Sequence, residues 1–145
     1  MSDRILFMLS RIQHVLSTHV RRELNEKGIV LSPGQIGILF TLEHGAETTM
    51  GELSGALEMD NAAASRLVDK LEKQGLVERF INPDDRRQIK IRMTPKGDDQ
   101  ARAAKAVVKG VNTRLRDGFT IDEIAVYNRV NRAIIEKFSI KESEK

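Results

Sequence analysis

The chain has 145 residues, a net charge of +3 and no cysteine. That length suits a single domain spanning 1–145, and the missing cysteines exclude disulfides, thiolate metal sites and cysteine-based redox sensing. Aromatics make up 4% of the residues and tryptophan is absent, so nothing is available for a base-stacking platform on single strands.

Ile5, Leu9, Ile12, Leu16, Val20 and Leu24 recur at helical spacing, with Met8, Val15 and His19 beside them. They predict a long amphipathic first helix that Gly28 ends. In "LSPGQIGILFTLEHG", Ser32 is an N-cap, Pro33 fits the first helical position and Gln35 closes a capping box. This helix, from Pro33 to about Glu43, is apolar on several sides and therefore central. "HGAETT" breaks it. Thr49 then caps a short helix, roughly Met50 to Leu57, with Glu52 closing the box. Asp60 caps the next helix, whose expected buried stripe is Ala63, Leu67, Val68, Leu71 and Leu76 and whose end is Gly75. The few residues between these two helices are the spacing of a helix-turn-helix.

A hairpin follows: "LVERFI", the turn "NPDDRR", then "QIKIRM". In the second arm Ile89, Ile91 and Met93 alternate with Lys90, Arg92 and Thr94, the period of a half-buried strand. Thr94 and Pro95 start a helix carrying Ala101, Ala104, Val107, Val108, Val111 and Leu115. Thr120 and Glu123 form a third capping box before a last helix with Ile124, Tyr127, Val130, Ile134 and Phe138. The charged tail "KESEK" is expected to fray.

The expected fold is mainly α with a small β wing: a winged helix-turn-helix over 30–97, flanked by helical regions at 1–27 and 98–139. The second helix of such a unit lies in the major groove of DNA. Asn61, Ala62, Ala64, Ser65, Arg66, Asp69, Lys70 and Lys73 are expected on its exposed face. Small residues near its start admit close approach to bases and phosphates, where free N–H groups favour anions. Asn61, Ser65 and Arg66 suit base edges, and Lys70 and Lys73 suit phosphates. On an isolated helix these charges would read as a solvated face. The hairpin changes the weighing, because Arg86 and Arg87 stand at its tip and Lys90 and Arg92 on its outer face. A narrow minor groove attracts arginine, and a guanidinium serves there better than the more strongly hydrated ammonium of lysine. Asp84 and Asp85 would repel phosphates, so they are assigned to ordering the turn and holding an arginine.

The run "AAASRLVDKLEKQGLVERFINPDDRRQIKIRMTPKG" resembles the MarR (multiple antibiotic resistance regulator) family of bacterial transcription factors. The resemblance rests on Asp85-x-Arg87 of the wing, the following strand and Thr94-x-x-Gly97, and it extends over nearly the whole chain. It implies a homodimer in which the N- and C-terminal helices interlock, bound to double-stranded DNA at an inverted repeat with half-sites about one helical turn apart. It implies that Arg87 enters the minor groove with Asp60 as its ion-pair partner, and repression as the mode of action. Ser32, at the start of the second helix, joins the expected DNA contacts. The sequence agrees, since helices one, five and six carry apolar stripes beyond what a small winged-helix core covers and a symmetric dimer is the commonest cover; the competing reading is a helical cap packed within one chain. The resemblance further implies a small aromatic or phenolic anion as effector, bound between the dimer helices and the winged helix. Arg11 would meet its carboxylate, with Phe7, His14, Ile36 and Phe40 lining the pocket; the competing reading makes Phe7, Ile36 and Phe40 ordinary core and Arg11 a surface cation.

His14, His19 and His44 lack metal-ligand spacing, and no metal or other cofactor is expected. No phosphate-binding glycine loop or catalytic pairing is visible, so an enzyme is not expected. The serious competitor is a winged-helix dimer that binds a protein without DNA, but such a wing would expose apolar or aromatic residues rather than arginines. No apolar run reaches the roughly 20 residues that span a bilayer, and no secretory signal region opens the chain. A cytoplasmic protein without a membrane partner is expected.

Overall fold

The computed structural model describes residues 4–139; the tail at 141–145 lies outside the described residues. The elements in order are α1 (Ile5–Glu26), α2 (Pro33–Thr41), β1 (Thr48–Thr49), α3 (Met50–Ala56), α4 (Asn61–Lys73), β2 (Val77–Ile81), β3 (Ile89–Met93), α5 (Pro95–Arg116) and α6 (Ile121–Phe138). The chain divides into two compact units, one up to Val108 and one from Lys109 onward, so the division falls within α5. No helix among the described residues is long and apolar enough to cross a membrane.

The first unit is a winged helix-turn-helix, and α2 is its centre. Ile36, Ile38 and Leu39 of α2 are buried with Leu53 of α3, Val68 and Leu71 of α4, and Leu76, Val77 and Ile91 of the wing. The start of α2 is fixed by the expected capping box. Ser32 Oγ accepts from the Gln35 amide at 3.3 Å, and Gln35 Oε1 accepts from the Ser32 amide at 2.9 Å. The buried Gln35 then donates from Nε2 to Gln74 Oε1 at 2.9 Å, which ties the start of α2 to the end of α4. At Thr49 one half of the expected box forms: its Oγ1 accepts from the Glu52 amide at 3.2 Å. At Thr120 both halves form.

Three expectations change. The buried stripe of α4 is Ala64, Val68 and Leu71, while Ala63 and Leu67 are half-buried; the spacing i, i+4, i+7 follows one helix face more closely than the expected set. The wing is a three-stranded antiparallel sheet in the order β1-β3-β2, because the segment read as a break places Thr48 opposite Ile91 and Thr49 opposite Lys90. Two residues are too few to show a period of two. Finally, Ala101, Ala104 and Val107 of α5 belong to the winged-helix core itself, so that part of the α5 stripe is covered within the chain.

The strand-to-helix junction explains why a threonine and a glycine stand three apart. Thr94 Oγ1 donates to the Gly75 carbonyl at 2.6 Å and accepts from the Gly97 amide at 3.1 Å, capping α5. A Cβ on Gly97 would lie 2.0 Å from the Leu76 carbonyl oxygen. Only glycine lets α5 pass this close to the strand that leads into the wing.

Candidate nucleic-acid interface

The site is built on α4 and the β2–β3 hairpin. Asp60 Oδ1 accepts from the Ala63 amide at 2.7 Å and so caps α4. Asn61 Oδ1 accepts from the buried Ser54 hydroxyl at 2.5 Å, which locks α3 against the start of α4. Ala62, Arg66, Lys70 and Lys73 are exposed and Ser65 is half-buried. These residues recur at three- and four-residue intervals, so α4 offers one polar, mostly basic face with small side chains at its N-terminal end. Ala64 does not share it. It is fully buried and packs inward, because it lies one turn before Val68 on the core face, and its expected DNA contact is corrected accordingly.

The hairpin pairs Val77 with Met93, Arg79 with Ile91 and Ile81 with Ile89, all on one face. Its tip is ordered chiefly by Asn82, which is 8% exposed. Asn82 exchanges backbone and side-chain hydrogen bonds with Gln88, its amide donating to the Gln88 carbonyl at 2.9 Å and its Nδ2 to Gln88 Oε1 at 3.0 Å. Asn82 Oδ1 also accepts from the Asp84 amide at 3.0 Å, an Asx-type turn. Asp85 Oδ1 accepts from the Arg87 amide at 3.1 Å and stands 3.6 Å from Arg87 Nε. Asp85 thus holds the backbone and lies beside the side chain of Arg87 at the turn. Asp84 holds no arginine among the described residues, and the ordering role assigned to its side chain passes to Asn82.

The Arg87 side chain is 94% exposed and Arg86 is exposed beside it. The expected Asp60–Arg87 ion pair is replaced by Asp85–Arg87, and the Asp60 carboxylate is engaged in capping. On the outer face, Lys90 is half-buried. Arg92 is neutralised: its Nε lies 2.6 Å from Glu78 and its Nη1 3.8 Å from Glu47, and its guanidinium stacks 4.2 Å from the centre of the Phe80 ring. The hydrogen bond to Glu78 raises the Arg92 pKa above its ordinary value. The basic character of the wing is thus concentrated at Arg86, Arg87 and Lys90.

Sequence reasoning missed two residues of this site. Asn82 was visible as the residue opening the turn, but its pairing with Gln88 is a tertiary fact. Arg79 alternates with Val77 and Ile81 on the inward face of β2, and a charge at that register demands a partner. Its partners are on α4: Nη2 lies 2.8 Å from Asp69 and Nη1 3.1 Å from Glu72.

Ser32 is half-buried at the start of α2. Of the expected effector residues, Ile36 belongs to the core and Phe40 packs against it, whereas Phe7, Arg11 and His14 are exposed along α1. The structure therefore divides this set between core and surface.

The MarR family model matches residues 31–89, from the residue before the α2 cap to the start of β3. The chain is similar to the uncharacterized HTH-type transcriptional regulator YsmB of Bacillus subtilis, with 32% identity over 83% of this chain and 82% of the relative. It is also similar to the multiple antibiotic resistance protein MarR of Escherichia coli, with 27% identity over 88% of this chain and 90% of that protein. Among solved structures, a mutant of Escherichia coli MarR complexed with operator DNA matches with a TM-score of 0.72 and 25% identity, covering 93% of this chain and 99% of that one. The Staphylococcus aureus MepR–DNA complex matches in fold, with a TM-score of 0.82 at 18% identity over 92% of this chain and 98% of that one.

Proposed function

Because the chain belongs to the MarR family of transcriptional regulators, we propose that it is a repressor that binds an inverted-repeat operator as a homodimer. The observation that carries this reading is the pairing of a basic α4 face with two exposed arginines on a braced hairpin. Ala62, Ser65 and Arg66 meet base edges, and Asn61 keeps its amide N–H groups for a base because its oxygen serves Ser54. Lys70, Lys73 and Lys90 meet phosphates, and Ser32 places the N-terminus of α2 against the backbone. Arg87, with Arg86, enters the adjacent minor groove. Repression follows physically if the bound dimer obstructs polymerase at a promoter.

Dimerisation is supported by apolar surface left open on each unit. On α1, Ile5, Leu6, Phe7, Met8 and Val15 are exposed. On the second unit, Phe119, Ile121, Val126, Tyr127, Ile135 and Phe138 are exposed. So much apolar surface calls for a partner, and a symmetric copy is the commonest one. We extend the reading to an aromatic anion as effector, met by Arg11 with Phe7 and His14 beside it. Benzoate should weaken DNA binding by the native chain and leave Arg11→Ala unaffected; an equal response from both removes Arg11 from that role.

The reading as a whole is tested by a mobility shift on duplex DNA at graded salt. A retarded complex that weakens steeply as salt rises is expected. The absence of a complex at low salt would refute DNA binding.

A further inference from the structure

Arg79 links the two parts of the interface. It is the central residue of β2, and its side chain is 26% exposed, wedged between the wing and the surface of α4. Its two terminal nitrogens fork to different carboxylates, Asp69 at 2.8 Å and Glu72 at 3.1 Å. Those acids stand three apart on α4; Asp69 lies beside Arg66 and Lys73, and Glu72 lies on the flank of the helix that meets the wing. Two carboxylates beside a basic helix face are unfavourable for DNA binding by themselves, since they repel phosphates. Their presence calls for a function that outweighs this cost.

The geometry of the wing supplies one. Beyond Arg79 on the same face stand only Ile81 and Ile89, which are 63% and 58% exposed. Arg79 is thus the outermost tie from that face of the hairpin to the helix among the described residues, and the tip with Arg86 and Arg87 extends past it. Resting on the DNA-binding reading above, we propose that Arg79, Asp69 and Glu72 form a positioning clamp. It fixes the angle between wing and α4 so that the tip arginines and the helix fall in adjacent grooves of one duplex. A guanidinium suits this task because its planar fork reaches two carboxylates at once, which a lysine ammonium does less rigidly.

The double variant Asp69→Asn with Glu72→Gln separates positioning from simple charge. Both side chains are on the helix surface, 53% and 43% exposed, so the core is untouched. On charge alone, removing two negative groups beside DNA tightens binding to every duplex. On the clamp proposal, the ratio of operator to random-duplex affinity falls about tenfold, the scale of losing a minor-groove arginine contact. Hydroxyl-radical footprinting then shows the wing's minor-groove protection lost, while methylation protection by α4 in the major groove persists. Arg79→Lys, which keeps the charge, gives an intermediate ratio. Uniformly tighter binding with the wing footprint intact, or native behaviour from Arg79→Lys, overturns the clamp. Failure of the native chain to footprint any duplex overturns the DNA-binding reading, and the clamp with it.

Discussion

Arg87 and Lys73 are proposed to make two separable kinds of DNA contact. Arg87 projects from a turn whose backbone is pinned by Asn82 and Asp85, so its side chain is aimed without being covered. Arg87→Ala is expected to lose about 1–3 kcal/mol of operator binding. Anisotropy titration at fixed salt measures this, and unchanged affinity would remove Arg87 from the minor groove. Lys73 sits in the last turn of α4 and offers a point charge. Lys73→Ala should weaken binding to all sequences alike and lower the slope of log affinity against log salt by about one unit; a parallel line would strike it from the phosphate contacts. At this scale the sequence revealed charge and turn chemistry well, since Arg86, Arg87 and Asp85 follow from local rules. Partners distant in the chain were not legible. Arg79 with Asp69, Arg92 with Glu78 and Glu47, and the burial of Ala64 all depend on which faces meet after folding.

The capped helices and the hairpin were legible because each carries a local signature. Ser32 with Gln35, and Thr120 with Glu123, form both halves of their capping boxes. Strand β1 was not legible, because its pairing with β3 is dictated by the partner strand and not by its own two residues. Junctions between elements carry sharp constraints. At Gly97 a methyl group would overlap the Leu76 carbonyl, and neither backbone can yield without moving the wing or α5. Gly97→Ala is therefore expected to cost about 1–3 kcal/mol of folding stability. A chemical-denaturation midpoint shows it, and a midpoint equal to that of the native chain would mean that the close approach is absent in solution.

For the whole molecule, the two units leave different debts. The first half of α5 is absorbed into the winged-helix core through Ala101, Ala104 and Val107. The open surface is on α1 and along α6, where Val126, Tyr127 and Val130 line a shallow hollow with Asp122 and Glu123. Amphipathic periodicity showed that these helices need a partner. It could not distinguish burial within one chain from burial between chains, since both satisfy the same stripe. Light scattering at micromolar concentration should give about twice the chain mass of 16.3 kDa; a stable species of single mass would remove the two-fold operator. Two recognition helices related by a two-fold axis, each with its wing in the neighbouring minor groove, would read the same sequence in opposite orientations. Selection of bound sequences from random duplex DNA tests that claim most directly. The account predicts enrichment of an inverted repeat with half-sites about one helical turn apart; enrichment of an asymmetric site, or of no sequence at all, would contradict it.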